Sequence, residues 1–184
     1  MSSRLLRQWD RWRGRNETTD RELNPHTLAS GLDDYSRASH LRKDEMHVDL
    51  YCWMAYASGV MVRIAKRVGA NLTVYRNTES YLKDNALLDK LHWSEEYGIY
   101  TDYGKHTHTA RLERQQRNGP LPYDQLVSPL PLVRVFDAEP KLTYVNAFGY
   151  VSLVPLMLQI LDPFSPMLGL LLDGLHDPER LWTD

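Results

Sequence analysis

Cysteine is almost missing from this chain of 184 residues. The single thiol, Cys52, excludes an internal disulfide framework and any multi-cysteine zinc site, and it leaves the redox compartment undefined. An excess of charge of one sign is lacking too. The 22 basic side chains stand against 24 acidic ones, so a formal charge of -2 gives no general attraction to nucleic acid or to an anionic membrane. Met1 is followed by Arg4, Arg7 and Asp10, not by the apolar run of roughly 7 to 15 residues that a secretory signal needs. The longest charge-free stretch, Leu142 to Leu161, approaches the roughly 20 residues that span a bilayer. It contains Thr143, Asn146, Ser152, Pro155 and Gln159, so it reads as buried protein and no membrane contact is expected from it. What is present, 42% hydrophobic and 25% charged residues without an internal repeat, is the make-up of one ordinary folded domain. Two sequons, Asn16-Glu17-Thr18 and Asn71-Leu72-Thr73, are compatible with a lumenal or secreted chain.

Apolar periodicity supplies the elements. From Glu45 to Val68 the positions Val48, Cys52, Ala55, Met61, Ile64, Ala65 and Val68 recur at helical spacing, with Asp44 as a plausible N-cap and Gly69 at the expected C-cap. A second helix is predicted over Leu72 to Leu91. Trp93 to Gly104 suggests a short hairpin-like excursion, and the five prolines between His106 and Pro140 predict a long surface loop. Two more helices are predicted around Gly149 to Leu161 and Ser165 to Leu175, with Pro178 able to begin another. Four helices apolar on broad faces predict an all-α array in which each hairpin expects neighbours.

Few residues carry recognisable chemistry. Asp33 and Asp34 follow Ser30-Gly31, where a carboxylate either caps a turn or is presented to a cleft from a fixed backbone. Arg37, four residues on, is a possible ion-pair partner or hydroxyl donor. Glu45, Asp49 and Trp53 recur at a spacing of four, which on a helix sets two carboxylates and an indole in one row. Sugar sites use that combination: carboxylates accept from hydroxyls, and an aromatic face covers the C–H side of a pyranose. The bland alternative is a first-turn acid favoured by the helix dipole beside a core tryptophan. His106 and His108 with Asp102 lack the matched further ligands that a metal needs. Arg4, Arg7, Arg11, Arg13 and Arg15 around Trp12 form a basic aromatic segment too short to predict nucleic-acid binding.

Taken together the motifs say more. Arg11-Trp12-Arg13-Gly14-Arg15, Leu23-Asn24-Pro25, Ser30-Gly31-Leu32-Asp33-Asp34-Tyr35 with Arg37-Ala38-Ser39-His40, and Glu45-Met46-His47-Val48-Asp49-Leu50-Tyr51-Cys52-Trp53 follow one another in the chain. Leu91-His92-Trp93, Asp102-Tyr103-Gly104 with His106-Thr107, and Tyr150 to Pro155 continue the series. In this order they resemble the catalytic domain of glycoside hydrolase family 63, the processing α-glucosidases. The resemblance implies an (α/α)6 toroid in the complete enzyme, and residues 1–184 as an incomplete portion of it, all-α with long loops and no internal domain boundary. It implies a lumenal endoplasmic reticulum location, with the N-linked oligosaccharide of nascent glycoproteins as partner and substrate. The reaction implied is removal of the terminal α-1,2-linked glucose with inversion, without cofactor or metal. Inversion needs one carboxylic acid at the leaving oxygen and a second carboxylate activating water, about 6.5 to 9.5 Å apart.

By the same resemblance Asp33 is the acid, with Asp34 the alternative, and Glu45 and Asp49 bind substrate. Asp34, Tyr35, Arg37, Trp53 and Trp12 are further candidates for holding the glucose. The general base is expected past Asp184, so the isolated chain is expected to be inactive, and the family's amino-terminal anchor and β-rich domain are not found. Ser36 and Leu41 replace usual prolines, and Tyr51 replaces an arginine. A rival reading is a non-catalytic glycan-binding or interaction fragment that keeps the Asp33 and Glu45 pocket. Either way, uncovered apolar helix faces are expected.

Overall fold

A computed structural model describes residues 12, 30–32, 35–42, 44–115 and 130–180. Its longest element is α1, Val48–Val68, which ends where Gly69 adopts the left-handed conformation (φ 69°, ψ 23°) open to a residue without a side chain. The helix starts three residues later than its periodicity suggests. Glu45 to His47 run extended because Met46 exchanges two backbone hydrogen bonds with Tyr103, of 2.9 and 3.0 Å. Asp44 does not cap; its carboxylate pairs with Arg42 in solvent. The first amide of α1, Val48 N–H, instead donates to Asp102 Oδ1 at 3.0 Å.

The second predicted helix is two. α2 covers Thr73–Leu82 and α3 covers Asn85–His92. Asp84 accepts from the Ala86 amide and so starts a new helix where one continuous helix was expected. Asn85 fastens that junction, donating to Ile160 O (3.0 Å) and accepting from Asp162 N–H (2.8 Å).

The all-α expectation is overturned. Beside five helices the described residues form six short strands in three antiparallel pairs, so they are not a helix-only portion of a toroid. β1 (Trp93–Ser94) pairs with β2 (Ile99–Tyr100), closing the expected hairpin. β3 (Tyr103–His106) pairs with β6 (Lys141–Tyr144), and β4 (Arg111–Arg114) with β5 (Leu132–Val135). Of the five prolines that read as loop, the two described ones sit in front of strands: Pro131 precedes Leu132 and Pro140 precedes Lys141, while Pro120, Pro122 and Pro129 lie outside the described residues. There a missing N–H costs the ladder nothing.

Two helices follow close to where they were expected, α4 over Tyr150–Met157, four residues shorter at its end than predicted, and α5 over Pro166–Leu175, capped by the Ser165 hydroxyl. Val48, Cys52 and Ala55 of α1 meet Leu88, Trp93, Tyr100, Val151, Val154 and Leu171 in one core, with the Trp93 and Tyr100 rings edge to face at 5.0 Å. Trp53, Tyr56, Ile64 and Val68 of α1 stay exposed, as do Val74 and Phe164. No helix among the described residues is long and apolar enough to cross a membrane.

Candidate active site

The segment before α1, the start of α1 and the turn before β3 converge on one buried ion cluster. Arg37 donates from Nη1 and Nη2 to both oxygens of Asp49 (3.1 and 2.7 Å), and from Nη1 again to Asp102 Oδ2 (2.7 Å). The three side chains are 1–3% exposed. Burial opposes the charge on Arg37, but Asp102 and Asp49 outweigh it and hold the guanidinium above its ordinary value. Burial would likewise raise Asp102; the Arg37 guanidinium first, and then the Val48 amide, overcome it and leave the carboxyl below its ordinary value. One acid thus caps the principal helix, balances a buried cation and orients it against Asp49.

Around the cluster lies a shell of directed bonds. Trp12 reaches it twice: its indole Nε1 donates to Asp49 Oδ2 at 2.9 Å, and its backbone N–H donates to His47 Nδ1 at 3.0 Å. An imidazole that accepts at Nδ1 carries its proton on Nε2, which faces Glu45 Oε2 at 3.4 Å, too long for a well-formed bond. Glu45 is fully buried and accepts from Arg42 N–H. Tyr35 lies under the Arg37 guanidinium, 5.5 Å from it, and its hydroxyl donates to Ala147 O. Burial first, then the Asp102 charge, pushes that phenol up to about 12. Gly104 leaves room for all this: a Cβ there would stand 2.7 Å from Ala38 Cβ and 3.2 Å from Glu45 Cγ.

Of the residues singled out from sequence, Trp12, Tyr35, Arg37, Glu45 and Asp49 come together here. Trp53 does not. It is 47% exposed and its ring meets Tyr56. The expected helical row of Glu45, Asp49 and Trp53 is therefore broken at both ends, since Glu45 precedes the helix. Asp33 and Asp34 lie outside the described residues; on either side of them, Leu32 N–H bonds Ser30 Oγ, and Tyr35 N–H bonds Leu32 O.

Sequence reasoning missed Asp102 as the partner of Arg37, and His47 as the group between Trp12 and Glu45. The signal for Asp102 was the lone acid of an otherwise uncharged turn. Asp102 is committed to Arg37 and Val48, so it does not stand as a third ligand beside His106 and His108. His106 accepts from Ser39 N–H at Nδ1 and meets His108 Nδ1 through Nε2 at 3.2 Å. Burial, then His108 and His40, pushes His106 down to about 4. Among the described residues no group of three His, Cys, Asp or Glu side chains is placed to hold a metal. A separate cleft of about 490 Å³, lined by residues including Asp89, Trp93, Glu96 and Tyr144, shares no side chain with the cluster.

Carboxylates, a guanidinium and an indole are thus drawn together at the start of α1. The chain is 42% identical to mannosyl-oligosaccharide glucosidase GCS1 of Arabidopsis thaliana over 94% of its own length and 20% of that protein's. It is 39% identical to alpha-glucosidase 2 of the same plant, covering 22% of it, and 28% identical to the mannosyl-oligosaccharide glucosidase of Saccharomyces cerevisiae, covering 17%. It therefore spans about a fifth of the length of the curated relatives it matches. The model of the glycosyl hydrolase family 63 C-terminal domain matches residues 3–184, and the chain belongs to that glycoside hydrolase family.

Proposed function

We propose that residues 1–184 form one continuous stretch of a family 63 catalytic domain and supply the acid half of an inverting glucosidase site. The substrate is the N-linked oligosaccharide of nascent glycoproteins in the lumen of the endoplasmic reticulum. The bond broken is that of its terminal α-1,2-linked glucose. The Asp33 carboxyl protonates the leaving oxygen, while Glu45 and Asp34 accept sugar hydroxyls and Trp12 offers its ring. Arg37 and Asp49 act mainly through position, because each is engaged by the other and by Asp102 or Trp12.

The observation that carries this reading is the Asp49–Arg37–Asp102 cluster. It joins three separate motifs of the resemblance around one point, four residues from Asp33. It also bears on the water-activating carboxylate. A base must bind a proton, and a carboxylate held ionised by a buried guanidinium is a poor one. Asp102 is thus unsuited to the second role, and both oxygens of Asp49 are engaged by Arg37 and Trp12.

Glucose release from a triglucosylated N-glycan, with the anomer followed by NMR, tests both statements. An Asp33→Asn variant of a longer active enzyme carrying this segment is expected to lose on the order of a hundred- to ten-thousand-fold in rate. Normal turnover by that variant, or release of the α-anomer, overturns the assignment. Robust turnover by the 184 residues alone overturns the division of the carboxylate pair.

A further inference from the structure

Between α1 and α2 the chain turns through Ala70, Asn71 and Leu72 at an exposed corner of the fold. This corner carries the sequon Asn71-Leu72-Thr73, and both Asn71 and Thr73 are exposed. We propose that Asn71 is an N-glycosylation site.

Three features of the corner support it. The amide nitrogen of Asn71 makes no hydrogen bond among the described residues, so nothing competes for the group that would be modified. The amide oxygen accepts from Thr73 N–H at 2.9 Å. That bond survives modification, because glycosylation substitutes the nitrogen and leaves the carbonyl as acceptor; α2 keeps the acceptor on its first amide. The surroundings also gain cover. Val68 and Val74 flank Asn71 at 70% and 69% exposure, among the most exposed large apolar side chains of the molecule. A hydrated oligosaccharide between them covers apolar surface that neither α1 nor α2 shields.

The reaction is a glycosyl transfer from a lipid-diphosphate-linked oligosaccharide. Asn71 Nδ2 attacks C1 of the reducing-end sugar and forms the N–C1 bond. The C1–O bond to the diphosphate breaks, the lipid diphosphate leaves with the electron pair, and one amide proton passes to a base of the transferase. The site places the α1–α2 corner on the open surface of the protein. It rests on the lumenal location proposed above, and it says nothing about Asp33.

The test uses the full chain behind a cleavable secretion signal in eukaryotic cells, with an extra acceptor sequon appended at the carboxyl end as a control for delivery. The peptide spanning residue 71 is analysed by mass spectrometry before and after peptide N-glycosidase, which converts a modified asparagine to aspartate. Native chain and a Thr73→Ser variant are expected to carry glycan at Asn71. Asn71→Gln and Thr73→Ala are each expected to run one gel step lower. Unmodified Asn71 on chains whose appended sequon is occupied overturns the proposal, whatever the Asp33 experiment yields; conversely, a normal rate for Asp33→Asn leaves Asn71 untouched.

Discussion

Replacing Arg37 with methionine keeps most of an apolar stem and removes the charge that two buried carboxylates share. Asp49 Oδ1 and Asp102 Oδ2 both sit on the same nitrogen, Nη1, at 3.1 and 2.7 Å. Without it these two oxygens face each other in a space from which water is nearly excluded. Breaking a buried pair by removing one partner costs about 3–5 kcal/mol. A second route to the magnitude agrees. The variant can relieve the repulsion by binding one proton between the two carboxylates, so the electrostatic penalty is capped by the cost of protonating an aspartate of ordinary pKa. That cap is about 4 kcal/mol at pH 7 and about 1.5 kcal/mol at pH 5. The sign of the linkage also reverses. In the native protein Asp102 is held below its ordinary value, so its contribution is present above about pH 4 and is lost as pH falls below that. In Arg37→Met the pair titrates above the unfolded value, so stability is retained near pH 4 and lost as pH rises, by about 1.4 kcal/mol per pH unit for one proton. Urea unfolding of both proteins at pH 5 and pH 7 reads this directly, and titrations common to both cancel in the difference. The gap between them is expected to widen by about 2 to 3 kcal/mol from pH 5 to pH 7. A gap under about 1 kcal/mol at pH 7, or one equal at both pH values, refutes the account of the cluster.

Gly104→Ala places a methyl 2.7 Å from Ala38 Cβ and should destabilise by about 1–3 kcal/mol in a thermal or urea melt, with Ala38→Gly restoring most of the loss. Failure of the second change to rescue the first would show that the contact is not the cause. Tyr51→Phe removes a buried hydroxyl that has no hydrogen-bond partner among the described residues, and should raise stability by about 1 kcal/mol in urea unfolding. A loss of that size would mean that the phenol is satisfied.

The parts of the fold readable from sequence are those decided locally. Gly69 and Ser165 mark helix ends because their chemistry acts within a few residues, and α1 and α5 appear close to where their periodicity puts them. The β1–β2 hairpin was readable for the same reason, whereas β3 to β6 escaped because their pairing is not local. Tyr103 lies opposite Tyr144, and a proline count between them suggests a loop, although Pro131 and Pro140 stand at strand entrances. The site follows the same division. Spacing singled out Asp49, and the structure buries it between Arg37 and Trp12. Trp53, one turn on, is not buried, because Arg37, Asp102 and Trp12 cover only the first turn of α1 and none of them reaches further along it.

Asp102 was legible only in retrospect, yet a physical rule points to it. A buried arginine needs acceptors for a fork of donors, and Asp49 satisfies only one side of that fork. A second acid is required, and so is an acceptor for the first amide of α1, whose N-cap His47 offers no side-chain bond. Two unmet demands at one place are met most economically by a single carboxylate with two oxygens. Asp102 divides itself in this way, Oδ1 to the helix and Oδ2 to the cation. Because one residue serves both, the helix start cannot shift without moving Arg37. Arg37 is therefore positioned by the same carboxylate that begins the longest helix.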